Sequence, residues 1–364
     1  MSERACCMID RLRLLPRFAF VRIWMTVLFI FSSHLALAET RINIWGSTDT
    51  AAFQSVLVAF ERVFPEIETI YHEVSSNELF DLVYSARDRG DRSIDVVISS
   101  AMDLQVKLVN EGLALPVHSD AAKELPNWAR WRNELFGFTY EPIVLFYNKN
   151  ALSHFPLPRT HSELADLLID NLDTFEGKVG TYNANSSGAG YLFITQDAIQ
   201  SDRVFRVIEA LSRAKMRTYE FTSAILDAVA SNELILGYNV IGTYALQRSR
   251  QDDNLGVLEF SDYTIVMSRT AFVYKHTTQR AASERFVEFL LSDAGQMAIA
   301  ENSYLIPINA RLRKEKFPAS GTNADLPIKL DIALLTYLDK LKRQNFLEVW
   351  NSIFQNDSTL GRQD

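Results

Sequence analysis

The sequence predicts an α/β protein of two lobes, each a mainly parallel sheet with helices on both faces, joined by hinge strands. Three observations carry this. Strand and helix signals alternate three times before Gly112, a second strand-helix series begins at Ala151, and between them lies Phe136 to Asn148, a β-branched and aromatic run broken only by Gly137 and Glu141-Pro142. Proline cannot donate to a sheet ladder and pushes its predecessor into an extended conformation, so the run reads as two short strands joined by a bend. Such a segment carries the chain from one lobe to the other. The expected organisation is residues 1–38 a signal peptide, 39–140 the first part of lobe 1, 141–267 lobe 2, and 268–364 the return to lobe 1 with C-terminal helices.

The N-terminal expectation rests on five arginines (Arg4, Arg11, Arg13, Arg17 and Arg22) ahead of the run Ile23 to Phe31, followed by the small-x-small pattern Ala36-Leu37-Ala38. A run of this length falls short of the roughly 20 apolar residues that span a bilayer. Cleavage after Ala38 would remove both cysteines, Cys6 and Cys7, so the mature chain would hold no disulfide, thiolate metal site or thiol nucleophile. It would also remove five Arg and the acids Glu3 and Asp10, taking 37 basic and 45 acidic residues to 32 and 43, a net charge of about −11. That charge argues against nucleic acid or an anionic membrane as partner. The expectation is a monomer in the periplasm.

Taken in order, Arg41 to Trp45 alternates as a strand and runs into the polar loop Gly46 to Thr50. Phe53, Val56, Leu57, Phe60 and Phe64 recur at helical spacing until Pro65 stops the helix. Glu68 to Glu73 is a second strand, and Ser75 with Glu78 three residues on forms a capping box for the next helix. Ile94 to Ile98 is a third strand, near-continuously apolar as a buried parallel strand should be, and helix Met102 to Asn110 follows it. Beyond the bend, Thr160 and Glu163 open a helix. Lys178 to Tyr182 is a strand, Asn183 to Gly190 a serine- and glycine-rich turn, and Tyr191 to Gln200 a helix. Helix Ser223 to Asn232 and strand Glu233 to Tyr238 lead to a polar turn through Asn239, Gly242 and Thr243. Tyr263 to Met267 and Thr270 to Tyr274 form a return crossing, helix Gln279 to Ser292 follows, and the tail from Asp325 reads as helices on the first lobe.

In open α/β sheets ligands gather beyond the carboxyl ends of the strands. Ser47, Thr48, Ser76, Ser99 and Ser100 fall in or near that position in the first lobe. In the second, Ser186-Ser187-Gly188-Ala189 between a strand and a helix could present N–H groups and hydroxyls to an anion, or could equally be a serine cap with glycines for tight packing. The Gly-Lys-Ser/Thr ending of a P-loop is absent. Arg269 interrupts an apolar crossing, where it could clamp a carboxylate or phosphate, or pair structurally with Glu141. Tyr140 and Glu141 lie at the hinge, with ligand-binding and structural roles both open. Tyr238 and Tyr244 could be ferric-iron ligands, though the mature chain's histidines show no metal-ligand spacing. Nucleophile elbows and zinc-protease motifs are absent, so no catalytic residue and no cofactor are expected.

The segments IWGSTDTAAFQSVLVAFERVFPEI, DVVISSAMDLQVKLVNEG, FGFTYEPIVLFYNKNAL and RFVEFLLSDAGQ, with the signal peptide, resemble the extracellular solute-binding proteins of ABC transporters, of the type 2 periplasmic-binding-protein fold. More narrowly the chain resembles the branch that holds ferric-iron, sugar-phosphate, phosphoglycerate and phosphonate binders. The resemblance implies a closing cleft that delivers ligand to a membrane permease, with contacts at Ser47, Thr48, Ser99, Ser100, Ser186 to Ala189, Tyr238 and Asn239. Ferric members carry adjacent tyrosines where this chain has Gly237-Tyr238-Asn239, which favours a small anionic solute, phosphorylated, phosphonate or carboxylate. The alternatives are a ferric-iron binder and a sensory co-receptor that touches a histidine kinase ectodomain; an exported enzyme comes last.

Overall fold

A computed structural model describes residues 40–317 and 324–355. The signal peptide and its cleavage point lie outside the described residues. Strands β1 (Thr40–Gly46), β2 (Ile67–Glu73), β3 (Val96–Ser99), β4 (Ala114–Leu115), β5 (Arg130–Trp131) and β6 (Leu135–Gly137) belong to one sheet. The chain then crosses to a second sheet of β7 (Glu141–Asn148), β8 (Val179–Tyr182), β9 (Arg217–Tyr219), β10 (Leu236–Ile241), β11 (Leu255–Leu258) and β12 (Thr264–Met267). It returns as β13 (Thr270–Tyr274) to the first sheet, and β14 (Asp325–Pro327) joins the second.

The first sheet runs β2-β1-β3-β13-β6-β5, and the second β14-β12-β7-β10-β8-β9. Ile44 of β1 lies opposite Tyr71 and Val96 in parallel register, and β8 is parallel to both β9 and β10. The crossing strands are antiparallel to their neighbours: β13 to β3 and β6, β7 to β10 and β12. Both sheets are therefore mixed rather than mainly parallel. A strand that arrives from the other lobe enters at the opposite end, whereas a strand reached through a crossover helix keeps the direction of the last.

Each lobe has an apolar cluster of its own, and a third runs continuously from Leu79, Val83 and Met102 of the first lobe to Leu192, Phe193 and Ile225 of the second. Helix Thr50–Val63 buries Phe53, Val56, Leu57 and Phe60 on the expected face, and Phe60 meets Phe286 and Phe289 with ring centroids at 4.9 and 5.4 Å. Its burial stabilises by about 1.5–3 kcal/mol. Ser75 Oγ accepts from the Glu78 N–H at 3.3 Å, and Thr160 Oγ1 from the Glu163 N–H at 3.1 Å, as their spacing predicts. No helix among the described residues is long and apolar enough to cross a membrane.

Two expectations are corrected. The strand expected to end at Tyr238 instead runs Leu236–Ile241, because Asn239 adopts a left-handed conformation (φ 60°) at a bulge between Gly237 and Val240, and helix Gly242–Gln251 follows at once. Asparagine tolerates that conformation better than most residues. The tail does not wrap the first lobe alone: β14 pairs with β12, and Tyr337, Leu338, Phe346, Leu347 and Trp350 complete the core of the second lobe. The tail keeps a hold on the first lobe as well, where the turn Ile332–Leu338 packs on helix Met102–Asn110 and the Leu330 N–H donates to the Trp128 carbonyl at 2.8 Å.

Candidate ligand-binding site

The crossings bind one another. The Arg269 N–H donates to Thr139 Oγ1 at 2.7 Å, and the Phe138 N–H donates to the Arg269 carbonyl at 3.0 Å. Beside them lies a cavity of about 480 Å³, within the range of small-molecule sites. Ser47, Glu73 and Ser100, at or just past the ends of β1, β2 and β3, line it from the first sheet. Tyr182, Glu220 and Ile241, at or just past the ends of β8, β9 and β10, line it from the second. The carboxyl-end rule thus holds for both lobes.

Sequence reasoning placed eight residues on this wall: Ser47, Ser76, Ser100, Ser186, Ser187, Gly188, Ala189 and Arg269. Thr48 and Ser99 are buried behind it. Thr48 Oγ1 accepts from Arg269 Nη1 at 3.0 Å, and Ser99 Oγ lies 3.1 Å from Ser47 Oγ and accepts from the Ala101 N–H.

Four others face elsewhere. The Tyr140 hydroxyl donates to Asp325, while Arg313 lies 3.7 Å over its ring. Tyr238 donates from its hydroxyl to Asp197 Oδ2 at 2.9 Å, and Asn239 donates to the same oxygen at 2.5 Å, within a buried polar cluster of the second lobe. There the bulge turns Asn239 toward Asp197, whose pKa burial pushes up. Tyr244, in contrast, lines the cavity, so the two tyrosines considered for iron do not converge.

Glu141, the fourth, is fully buried as the partner of Arg269, itself 1% exposed. Arg269 Nε lies 2.9 Å from Glu141 Oε1, out of line for a hydrogen bond, and Nη2 donates to Oε2 at 3.4 Å. Glu141 also accepts from Thr139 and Thr243 hydroxyls at 2.8 and 2.6 Å. Burial alone would lower the Arg269 pKa, but the Glu141 charge reverses this and raises it, fixing the positive state.

On the second-lobe wall, Ser187 caps helix Gly188–Gln200, its Oγ accepting from the Gly190 N–H at 3.2 Å. The first N–H groups of a helix have no intrahelical partner, and the helix dipole puts partial positive charge there. Gly188 is required by a close approach: a Cβ would stand 2.9 Å from Asn77 Oδ1 and 3.1 Å from Ser76 Cβ, both of the first lobe. Asn77 Nδ2 donates across to the Ser186 carbonyl at 2.6 Å, so the lobes touch at the cavity edge.

Sequence reasoning missed the acidic part of the wall: Asp49, Glu73, Glu78 and Glu220. The signal was available at Asp49 and Glu73, which sit at the carboxyl ends of β1 and β2. Glu220 follows β9, a three-residue strand too short to read from pattern.

Two lobes, each on its own sheet, with a metabolite-sized cavity at the carboxyl ends of both, define a solute-binding protein. The chain belongs to the bacterial extracellular solute-binding proteins, whose family model matches residues 45–297. Members act outside the cytoplasm with ABC permeases as carriers of small solutes, and the family is one of transport, not catalysis. The fold is similar to that of the substrate-binding protein of an ABC transporter from Agrobacterium tumefaciens, with 29% identity, 87% of this chain and 95% of that one covered, and a TM-score of 0.81. It is similar too to iron-bound HitA from Pseudomonas aeruginosa, with 20% identity, 86% and 99% covered, and a TM-score of 0.70. Iron uptake protein A1 of Synechocystis sp. is 24% identical over 262 residues, 68% of this chain and 70% of that protein.

Proposed function

We propose that the chain is the periplasmic binding component of an ABC importer and takes a small solute by an anionic group, a carboxylate, phosphate or phosphonate, in the interlobe cavity. The observation that carries this reading is the N-terminus of helix Gly188–Gln200 on the cavity wall, with the Ser186 and Ser187 hydroxyls beside it and Ser47 and Ser100 supplied by the other lobe. Oriented N–H groups and hydroxyls satisfy an anion without requiring a net positive pocket. Contacts from both lobes favour the closed arrangement in proportion to the ligand's extra affinity for it. HitA is iron-bound in its structure, but the ferric reading has less support here: among the described residues no three His, Asp or Glu side chains gather to hold a metal, and Tyr238 faces the core.

A thermal-shift panel of phosphorylated, phosphonate and carboxylate metabolites finds the ligand, since one at a hundred times its Kd adds about 2.7 kcal/mol. Calorimetry with that ligand should then show Ser187→Asp binding about tenfold to a hundredfold more weakly, because a like charge occupies the anion's place. An aspartate still caps the helix, so thermal stability should be unchanged. Equal affinity in variant and wild type would reduce Ser187 to a cap alone. Export would remove the first 38 residues: the periplasmic species should have the mass of a chain beginning at Glu39. An uncleaved, membrane-bound product would overturn that placement.

A further inference from the structure

We propose that the solute also carries a cationic nitrogen, an amine, guanidine or quaternary ammonium, held at Asp49 and Tyr244, so that the ligand is a zwitterion. This rests on the interlobe cavity being the ligand site. Asp49 occupies the N-cap position of helix Thr50–Val63, where an aspartate ordinarily accepts from its own helix. It makes no such bond. Glu73, from the end of β2, does that work instead, accepting from the Thr50 N–H and Oγ1 at 2.7 Å each. The Asp49 carboxylate is left facing the cavity it lines.

Charge on this part of the wall does not balance. Arg269 is the one cation on the lining among the described residues, and it is ion-paired to buried Glu141. Asp49 acts on the same guanidinium as a second negative charge. One positive charge therefore serves two carboxylates, and Glu73, Glu78 and Glu220 add further negative charge toward the rim. A carboxylate with no cation of its own in a partly desolvated cavity is costly, and a ligand cation removes that cost.

Aromatic surface supplies the second requirement. Tyr244 lines the same cavity, its buried hydroxyl beside the Asp49 carboxylate but out of line for a good hydrogen bond. Burial drives its pKa well above the ordinary phenol value, Asp49 adding to the shift against the pull of Arg269, so the group remains neutral. Its ring already carries the Arg269 guanidinium 5.2 Å from its centroid, and Phe221, 53% exposed, stands on the lining beside Glu220. Carboxylates interleaved with aromatic faces recognise ammonium groups, and they disfavour a bare dianion.

The test uses the full mature chain and amine-bearing and amine-free compounds matched in length, such as 5-aminopentanoate against glutarate and phosphoethanolamine against ethyl phosphate. The tightest ligand found should bear the cationic nitrogen, and Asp49→Asn, which retains a good N-cap residue, should weaken it about tenfold to a hundredfold. Affinity for amine-free compounds should hold or rise in that variant, because a negative charge is gone. If amine-free anions bind tightest, or Asp49→Asn leaves the aminated ligand's affinity unchanged while Ser187→Asp lowers it, the cationic subsite is overturned and the interlobe site stands. If neither substitution affects a confirmed ligand, the site reading fails and this inference with it.

Discussion

Arg269→Met is expected to cost about 3–5 kcal/mol of folding stability, read as a lowered urea midpoint at unchanged slope. The cost comes from what remains: Glu141, at 0% exposure, would be left without its counter-charge and with only two hydroxyl donors, from Thr139 and Thr243. Arg269 also ties the lobes together, through Thr48 at the end of β1 and Glu141 at the start of β7. A methionine fills much of the space but donates nothing to either. The double variant Arg269→Met with Glu141→Gln should recover most of the loss, since a neutral amide can still bond both hydroxyls and no buried charge is left unpaired. Arg269→Lys should fall between, retaining charge while losing the planar fork. A single variant within about 1 kcal/mol of wild type would mean that water or backbone relaxation compensates Glu141, and the pair would then not be the anchor of the crossings.

What the sequence could reveal depended on whether the signal was local. Helix Thr50–Val63, the Ser75 and Thr160 caps, and the paired crossings are written in short-range pattern: the 3.6 period of Phe53 to Phe60, a serine or threonine three residues before Glu, and Gly137 and Pro142 around a bend. The serines of the wall were legible because strand-to-helix junctions fix them at carboxyl ends. Arg269 was legible as an anomaly, a charge in an apolar crossing, and its partner Glu141 was one of the two readings open. Illegible features had tertiary causes. The bulge at Asn239 reorients two residues that a regular strand end would have left in the cleft. The acids of the cavity come from separate strands and helices, so no stretch of chain shows them as a group. The apolar residues of the tail are visible, but only the assembled second lobe shows which surface they cover.

The contribution of Asp103 to stability should fall as pH rises from about 4 to about 7, and Asp103→Asn should remove that contribution. Asp103, 2% exposed, lies in the first turn of helix Met102–Asn110, where the helix dipole and the Leu104 N–H at 2.9 Å both favour the carboxylate. Burial outweighs them and pushes its pKa up to about 7, against the weaker opposing effects of the Leu104 N–H and Arg343. The surroundings explain why: first-lobe helix, second-lobe Tyr191 and the tail's Arg343 meet here, and Arg343 is engaged over the Tyr191 ring, 4.4 Å from its centroid. An aspartate raised from about 3.9 in the unfolded chain holds its proton in the fold after the unfolded chain has lost it. Stability from this group is therefore full below about pH 4 and lost as pH climbs to the folded value, in total about 4 kcal/mol. Asparagine, neutral and of the same shape, can still accept from the Leu104 N–H and has no charge to bury. The variant should unfold several degrees higher than wild type at pH 8 and nearly together with it at pH 4.5, in matched melts across that range. Parallel curves, or a variant less stable at pH 8, would show that Asp103 is ionised in the fold and that Arg343 holds it as an ion pair.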